Sequence, residues 1–509
     1  MPYILGIDNG LTVSKAVIFD KTGQTVAIAR CQVPRLMPQA HHVERDMRTL
    51  WIATAIAIGK AIEQAGCAAS EIIAVAATAH GDGLYLVDEI GNPLRHGILS
   101  LDSRASEIVT RWEIDGTSAH ALERTGQVPH ASAPATLLKW VQQNEPSVFA
   151  RIDKILACKD WLRFCLTNTL GTDLTEASTS FTDVKTQSYG DGILEIYGLQ
   201  ALAHALPEVS LPQEVVGKVT AEAAAATGLA EGTPVVAGLH DVTASALGIG
   251  GYGEGTVAIV AGTYSINETL SHVPKTDPKW FCRNGIKRGE WNNMSISPAS
   301  VGNYDWFLET FMASDLAGLG DAIHAEIARE IEAVKDQPAC VLFHPYLFGS
   351  PHGTTASSSF LGLRGWHGRG EVLRAIIEGI AFNHRVHIDA LRSAFDVNGA
   401  RLTGGISRNP TFCQIFADAL DLPISVPKIE EAAAWGAALC AGVGSGTIEQ
   451  FKPDTTCTNL DVELYIPNQS RAADMNDLFD LHCTASDALA PIWKKLEERA
   501  QSHLKGTQT

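Results

Sequence analysis

No two of the 10 cysteines are spaced Cys-x-x-Cys, so a zinc ribbon or a thioredoxin-type site has no ligand or redox pair to build on. No Lys/Arg run stands out, and the formal net charge is −18. That balance argues against a nucleic-acid partner, whose recognition shows as a basic patch or stripe. Long apolar runs are missing too. The longest uncharged small-residue run, Ala432 to Gly446, is too short and too Gly-rich to span a bilayer, so no membrane partner is expected. The opening residues Met1 to Asp8 carry no basic region and no cleavable apolar stretch, so no signal peptide is expected. A cytoplasmic chain with reduced core thiols is the reading that follows.

At 509 residues, with 45% hydrophobic and 19% charged residues, the chain has the composition of a globular protein of two or more domains. Ile4–Ile7 and Ala16–Phe19 are apolar runs joined by a polar turn, Asp8 to Lys15, and Thr25 to Arg30 continues as a third strand. Met47 to Gln64 has helical periodicity, and Ile72 to Ala77 reads as a buried strand. This alternation predicts an α/β fold. A second hairpin, Thr256–Val260 and Ile266–Leu270 around a small polar turn, echoes the first. Two halves of related architecture follow, residues 1–247 and 248–509, with the glycine-dense stretch Gly248 to Gly253 at the boundary as a candidate hinge. Helices are predicted over Glu371 to Phe395, from Asn409-Pro410 with Asn as N-cap, over Glu430 to Cys440 with acidic residues in its first turn, and from about Asp474 to Leu504.

Phosphoryl transfer needs donors that hold phosphates, a carboxylate-bound cation and a base beside the acceptor hydroxyl. The first turn offers Gly10 for close backbone approach, Thr12 and Ser14 as hydroxyl donors, Lys15 as a positive charge and Asp8 for Mg²⁺. An ordinary polar hairpin turn stays open as the plainer reading. Gly262-Thr263 is the matching turn of the second hairpin. Asp241 follows the apolar run Pro234 to Leu239 and precedes a helix, where α/β proteins place ligands. It fits a general base, and equally a helix N-cap. Thr403 to Pro410, with paired Gly404 and Gly405, joins a strand to a helix N-terminus suited to anionic groups, or is a plain turn. Gly81-Asp82-Gly83 and Asp102-Ser103-Arg104 supply polar groups for a polyhydroxylated ligand, or are polar loops. The Gly248-x-Gly250-x-x-Gly253 string has a helix before it and a strand after it, the reverse of a dinucleotide-binding unit. His384 and His387 lack a third metal ligand and read as core or surface histidines.

Together these residues resemble the FGGY family of carbohydrate kinases, from Ile4 to about Gly446. The most specific piece is Ser358 to Leu363 followed by Glu371 to Glu378, similar in order and spacing to the family's C-terminal signature. Leu138-Lys139-Trp140 before Asn144-Glu145-Pro146 resembles the N-terminal signature more loosely. Gly404 to Pro410 with Gln414 and Asp418 is similar to the adenosine motif. The resemblance implies two actin-like (ribonuclease H-like) domains with a central cleft, the first binding sugar and the second nucleotide, with ATP and Mg²⁺. It implies Asp241 as catalytic base, Asp8 as the metal-linked aspartate, Gly262-Thr263 as the second phosphate loop, and Gly302, Gly404, Gly405 and Asn409 as nucleotide contacts. Leu11 stands where the family commonly has Thr. Gly81, Asp82, Asp102, Arg104 and His240 are the expected sugar contacts.

Glu44 to Met47, Gly81 to Gly83 and Ile98 to Ala105 are most similar to the L-xylulose/3-keto-L-gulonate kinase branch. Gly81-Asp82-Gly83 with Leu101-Asp102 also resembles erythritol kinases. The paired arginines of glycerol kinases are missing, and the Gln-Met-His-Gly motif of D-xylulose kinases is replaced by His80 to Gly83. The expected partner is a small sugar or polyol, with a homodimer as the assembly to test. Other pentulose and polyol kinases are the alternatives. A silent sugar- or ATP-binding regulator and an actin-like ATPase are the rivals from other classes.

Overall fold

The computed structural model describes residues 2–351, 355–451 and 461–506. Two units separate: one gathers Met1–Gly253, Leu270–Asn293 and Ile429–Leu460, the other Glu254–Thr269, Met294–Lys428 and Asp461–Thr509.

In the first unit the apolar runs form the hairpin Tyr3–Asn9 and Val13–Asp20, with Asp8 opposite Lys15, and Thr25–Gln32 adds the third antiparallel strand. Ile72–Ala79 lies parallel to Tyr3–Asn9 on its other side, and Pro234–Val236 and Leu239–His240 both run parallel to Ile72–Ala79. Val215–Lys218 closes the edge antiparallel. The central strands are apolar on both faces because both faces are covered. Met47–Ala65 is capped by Asp46, whose side chain accepts from the Thr49 N–H, and it ends at Gly66 in the left-handed region. Its buried face, including Leu50, Ala57 and Ile58, joins Leu5, Ile7, Ile18 and Val75 in one core.

The second unit repeats this plan. Gly255–Ala261 and Ser265–Ser271 form the hairpin, Val397–Gly404 runs parallel to Gly255–Ala261, Ile424–Pro427 runs parallel to Val397–Gly404, and Val462–Tyr465 is the antiparallel edge. The order hairpin, parallel, parallel, antiparallel edge is common to both units, so the faint sequence echo reflects repeated architecture.

Element ends moved where local contacts decide them. The long helix is Arg369–Arg392, opened by Glu371 accepting from the Gly368 N–H. Asn409 caps Pro410–Leu420 as expected, its carbonyl oxygen accepting from the Thr411 N–H. The closing segment is one helix, Gln469–Gly506, with Pro491 inside it. One expectation is overturned. The helix at 432 starts only at Ala432, so Glu430 and Glu431 precede it and no acidic residue lies in its first turn. Glu431 pairs instead with Lys15 and Arg30. The nine cysteines among the described residues are all unpaired, and Cys340 is exposed rather than core. His384 and His387 are buried and bonded to neutral partners, Asn267 and Ser300 for the first, Ser295 and Ser297 for the second. No helix among the described residues is long and apolar enough to cross a membrane.

Candidate active site

The hairpin turn of the first unit is braced by Arg45, which has no exposed surface. Its guanidinium donates to Asn9 Oδ1 at 2.7 Å and to the carbonyls of Gly10, at 3.1 Å, and Leu11. Asp8 is the next-to-last residue of the strand that leads into that turn. Burial is the largest effect on its carboxyl and raises its pKa, Glu431 adds to the rise, and Lys15 opposes it. Lys15 Nζ sits 3.3 Å from Asp8 Oδ2 and 2.7 Å from Glu431 Oε2. Burial works against the lysine's charge, and the two carboxylates outweigh it, so its pKa is raised and the ammonium is kept. A Cβ on Gly10 would meet only Val13 O, at an ordinary 3.6 Å, so no neighbour in the protein demands a glycine there. Thr12 is exposed, as a phosphate donor must be.

Ser14 departs from the expectation. It is fully buried, and its Oγ is 2.9 Å from Thr54 Oγ1 on the Met47–Ala65 helix. Side chains alternate across a strand, so once Lys15 faces Asp8 its neighbour Ser14 must face the core.

Asp241 opens the helix Asp241–Gly248 directly after the strand Leu239–His240. Its Oδ1 accepts from the Val242 N–H at 2.8 Å, and the nearby Gly81 N–H favours the charged carboxylate. Solvent still reaches 31% of the side chain. The dense protein around the carboxyl is the main cause that raises its pKa, to about 7, with the nearby negative charges of Asp8 and Asp82 adding to the rise. Asp241 is thus the first residue of its helix, whose N-cap is His240, and its carboxyl titrates near neutrality.

Beside it lies a connected polar group. His240 is 4% exposed, and its ring packs against Gly81, where an added Cβ would fall 1.7 Å from Nε2. Asp82 sits in the left-handed region at φ 58°. Its Oδ1 accepts from Arg283 at 2.9 Å, and His130 Nε2 is 3.4 Å from Oδ2. Burial would push the Asp82 carboxyl up, but Arg283 and His130 hold it well below the usual carboxylate range.

Asp102 and Arg104 are not presented to a ligand in this way. Asp102 has no exposed side-chain surface, and its two oxygens accept from Val43 N at 2.6 Å and from Arg104 N, Nε and Nη2 at 3.0, 2.8 and 2.7 Å. Arg104 also holds Glu44 at 2.7 Å and lies over the Trp140 ring. The Asp102 carboxylate is occupied because Arg104 lies two residues on and folds its fork back over it, which leaves Arg104 Nη1 buried without a partner among the described residues.

The second unit holds the other candidates. Gly262 and Thr263 form the hairpin turn, and a Cβ on Gly262 would meet nothing within 4 Å. Gly404 has φ 102°, and a Cβ there would lie 2.2 Å from Ala261 O, so this position requires glycine. Gly405 lines a cavity of about 690 Å³ with Val301, Tyr304, His324 and Asn409, a size suited to a nucleotide. Gly302 opens the helix Gly302–Phe311. The Asn409 amide is already used, capping Thr411 and donating to His324 O at 3.1 Å, so it shapes the cavity wall.

Sequence reasoning missed Arg283, His130, Gln127 and Glu431. All four reach the site from distant segments, and none has a local pattern that marks it.

Family models match across most of the chain: the N-terminal domain of the FGGY family of carbohydrate kinases over residues 3–248 and its C-terminal domain over 257–445. This chain belongs to the FGGY family of carbohydrate kinases. It is 34% identical over 454 residues to an L-xylulose/3-keto-L-gulonate kinase of Escherichia coli K12, covering 88% of this chain and 89% of that protein. It is 30% identical to an erythritol kinase of Brucella abortus, covering 97% of each. The fold matches the ligand-bound xylulose kinase of Lactobacillus acidophilus with a TM-score of 0.88 at 24% identity, over 97% of this chain and 100% of that one.

An FGGY kinase uses ATP, and the cavity beside Gly405 in the second unit is of a size that suits a nucleotide. Among the described residues no group of three or more His, Cys, Asp or Glu side chains is arranged to hold a metal ion. Mg²⁺ needs no such cage, since it keeps waters and takes one or two carboxylates beside substrate phosphates. Asp8, buried with Glu431 beside it, fits that requirement.

Proposed function

We propose that this FGGY kinase transfers the γ-phosphoryl group of ATP to a hydroxyl of L-xylulose or 3-keto-L-gulonate, with Asp241 as the base. The observation that carries this reading is the Asp241 carboxyl, held by the Val242 N–H just after a strand of the central sheet, with its pKa raised to about 7. In the reaction the acceptor hydroxyl gives its proton to Asp241, its oxygen bonds to the γ-phosphorus, and ADP leaves. Asp82 and His240, with Gly81, line the acceptor side. Thr12, Lys15, Gly262 and Thr263 serve the phosphates. Asp8 serves Mg²⁺, whose charge offsets that of the transferring group when bound. The first domain thus takes the sugar, and the second, with Gly302, Gly404, Gly405 and Asn409, takes the nucleotide.

The cations near Asp241 are already committed: Arg283 to Asp82, and Lys15 to Asp8 and Glu431. That supports a neutral ketose over a sugar acid, so L-xylulose is the first choice. The erythritol kinase likeness over 97% of both chains favours a four-carbon polyol as the second reading. The cytoplasm, where ATP is supplied, is the proposed compartment. A homodimer is supported by the exposed Val462 and Leu464 on the edge strand of the second sheet, with exposed Ile466 just after it, and light scattering in solution tests it.

ADP release with Mg-ATP across L-xylulose, 3-keto-L-gulonate, D-xylulose, L-ribulose, D-ribulose, erythritol and glycerol tests the substrate. L-xylulose as the strongest responder is the expected result, and no response from either of the first two sinks the assignment. Asp241→Asn is expected to lower kcat by about 10²- to 10⁴-fold, and near-full activity in that variant would remove Asp241 as the base.

A further inference from the structure

Arg283 lies on the strand Phe281–Asn284 with only 4% of its side chain exposed, stacked over Phe281. Each of its three nitrogens has a separate task. Nε donates to Gln127 Oε1 at 2.9 Å, Nη2 to Asp82 Oδ1 at 2.9 Å, and Nη1 to His240 Nε2 at 3.0 Å. Gln127 is itself anchored, its amide donating to Ser178 O. The guanidinium is therefore held on several sides before it meets His240.

That contact has a chemical consequence for the imidazole. A guanidinium only donates and stays protonated, so His240 Nε2 must accept. A neutral imidazole carries one proton, which then sits on Nδ1. His240 is neutral, because burial first, and Arg283 next, push its pKa down to about 3. The other charged or titratable groups acting on it are Asp82, Lys159, His80 and the adjacent Asp241. The Val242 N–H lies 3.3 Å from Nδ1 in donating geometry, and Asp241 Oδ1 is 3.4 Å from the same nitrogen. The Val242 N–H has its better acceptor in Asp241 Oδ1, at 2.8 Å. With the proton on Nδ1, the Val242 N–H keeps Asp241 Oδ1 as its acceptor, and the imidazole hydrogen lies on the side of that same carboxylate oxygen. With the proton on Nε2, it would point at the guanidinium, two donors would face each other in a buried site, and the carboxylate would lose one partner.

We propose that Arg283 is a positioning residue: by occupying His240 Nε2 it fixes the Nδ1–H tautomer and so orients the Asp241 carboxylate toward the acceptor hydroxyl. This inference rests on the reading of Asp241 as the base. In this reading Arg283 acts on Asp241 through His240, so its loss is expected to be felt more in turnover than in binding.

The test is a double-mutant cycle read by steady-state kinetics with Mg-ATP and the best sugar acceptor, on variants whose fold is checked by circular dichroism. Arg283→Met is expected to lower kcat by about 10²-fold, the scale of a small misplacement of a reacting group, with both KM values nearly unchanged. Arg283→Lys recovers part of the loss, because an ammonium can still donate to Nε2. His240→Asn keeps a side-chain donor beside Asp241 and removes the Nε2 acceptor. In that background Arg283→Met is expected to change kcat by less than about threefold, the non-additivity of residues that act in series. If Arg283→Met does not fold, Arg283→Gln takes its place in the cycle. Unchanged kcat in the Arg283 variants, a change confined to the sugar KM, or equal losses in both backgrounds would each overturn the proposal. Asp241→Asn run alongside separates the two levels: an active Asp241→Asn enzyme removes the base reading itself, whereas additive losses beside an inactive Asp241→Asn enzyme remove only the role of Arg283.

Discussion

A carboxylate with an ordinary pKa is a weak proton acceptor at pH 7, and the surroundings of Asp241 correct that. Crowding by protein and the repulsion of Asp8 and Asp82 raise its pKa to about 7. As the proposed base, Asp241 must be unprotonated to act, so its raised pKa places the loss of activity on the acid side of neutrality. The expected profile of log kcat/KM is level above about pH 7 and falls by about one unit per pH unit below it. A flat profile down to pH 5 would mean that another group takes the proton. Gly81 matters at the same scale, for close approach rather than backbone freedom. A Cβ there would collide with His240 Nε2, the atom that Arg283 binds. Gly81→Ala is therefore expected to displace the ring and lower kcat/KM by about 10²-fold while circular dichroism stays unchanged.

Among elements, the helix Ala432–Gly444 is the least replaceable. It is rich in Ala and Gly because it packs closely on two neighbours of the first unit. A Cβ on Gly436 would lie 1.9 Å from Ala244 O of the Asp241–Gly248 helix, and a Cβ on Gly6 would lie 2.1 Å from Ala434 O. This packing supports the helix that carries Asp241 and the strand that carries Asp8. The residue just ahead of it, Glu431, reaches Lys15 and Arg30, so the element sets the electrostatics of the first turn as well as its position. Gly436→Ala is expected to destabilise by about 1–3 kcal/mol through overpacking. A thermal melt reads this as a loss of about 2–4 °C per kcal/mol for a domain of this size, and a melt identical to wild type would mean that the helices separate without cost.

For the whole molecule the prediction concerns the divalent cation. The proposed cation site rests on one carboxylate, Asp8, so substrate and water are expected to complete it and binding is expected to be reversible. Adding EDTA in excess of Mg²⁺ is expected to stop ADP release, and added Mg²⁺ to restore it fully. Retained turnover in EDTA would dismiss the role given to Asp8. ATP binding is expected to raise the melting temperature, since a ligand at 100 times its Kd stabilises the native state by about 2.7 kcal/mol. The repeated strand order of the two units supplies two glycine-bearing hairpin turns, Gly10 and Gly262, from one architectural plan.

Periodicity and punctuation made much of this legible without coordinates. Alternating and continuous apolar runs marked both hairpins and the strands beside them, because burial on one or both faces of a sheet imposes those patterns locally. Asp8 and Asp241 stood out because each ends such a run, where a sheet delivers its polar groups. Asn409-Pro410 announced a helix start because capping is a matter of three consecutive residues. What stayed hidden depends on contacts across long stretches of chain. Ser14 turned inward because Lys15 had Asp8 and Glu431 to face, and Glu431 lies 416 positions away. Asp102 was consumed by Arg104, which only the folded loop decides. Arg283 reached Asp82 and His240 from a different strand, 201 and 43 positions distant. Local pattern determines which elements form and which residues end them. Only the tertiary packing determines which charges meet, and with them the protonation state of His240 and the pKa of Asp241.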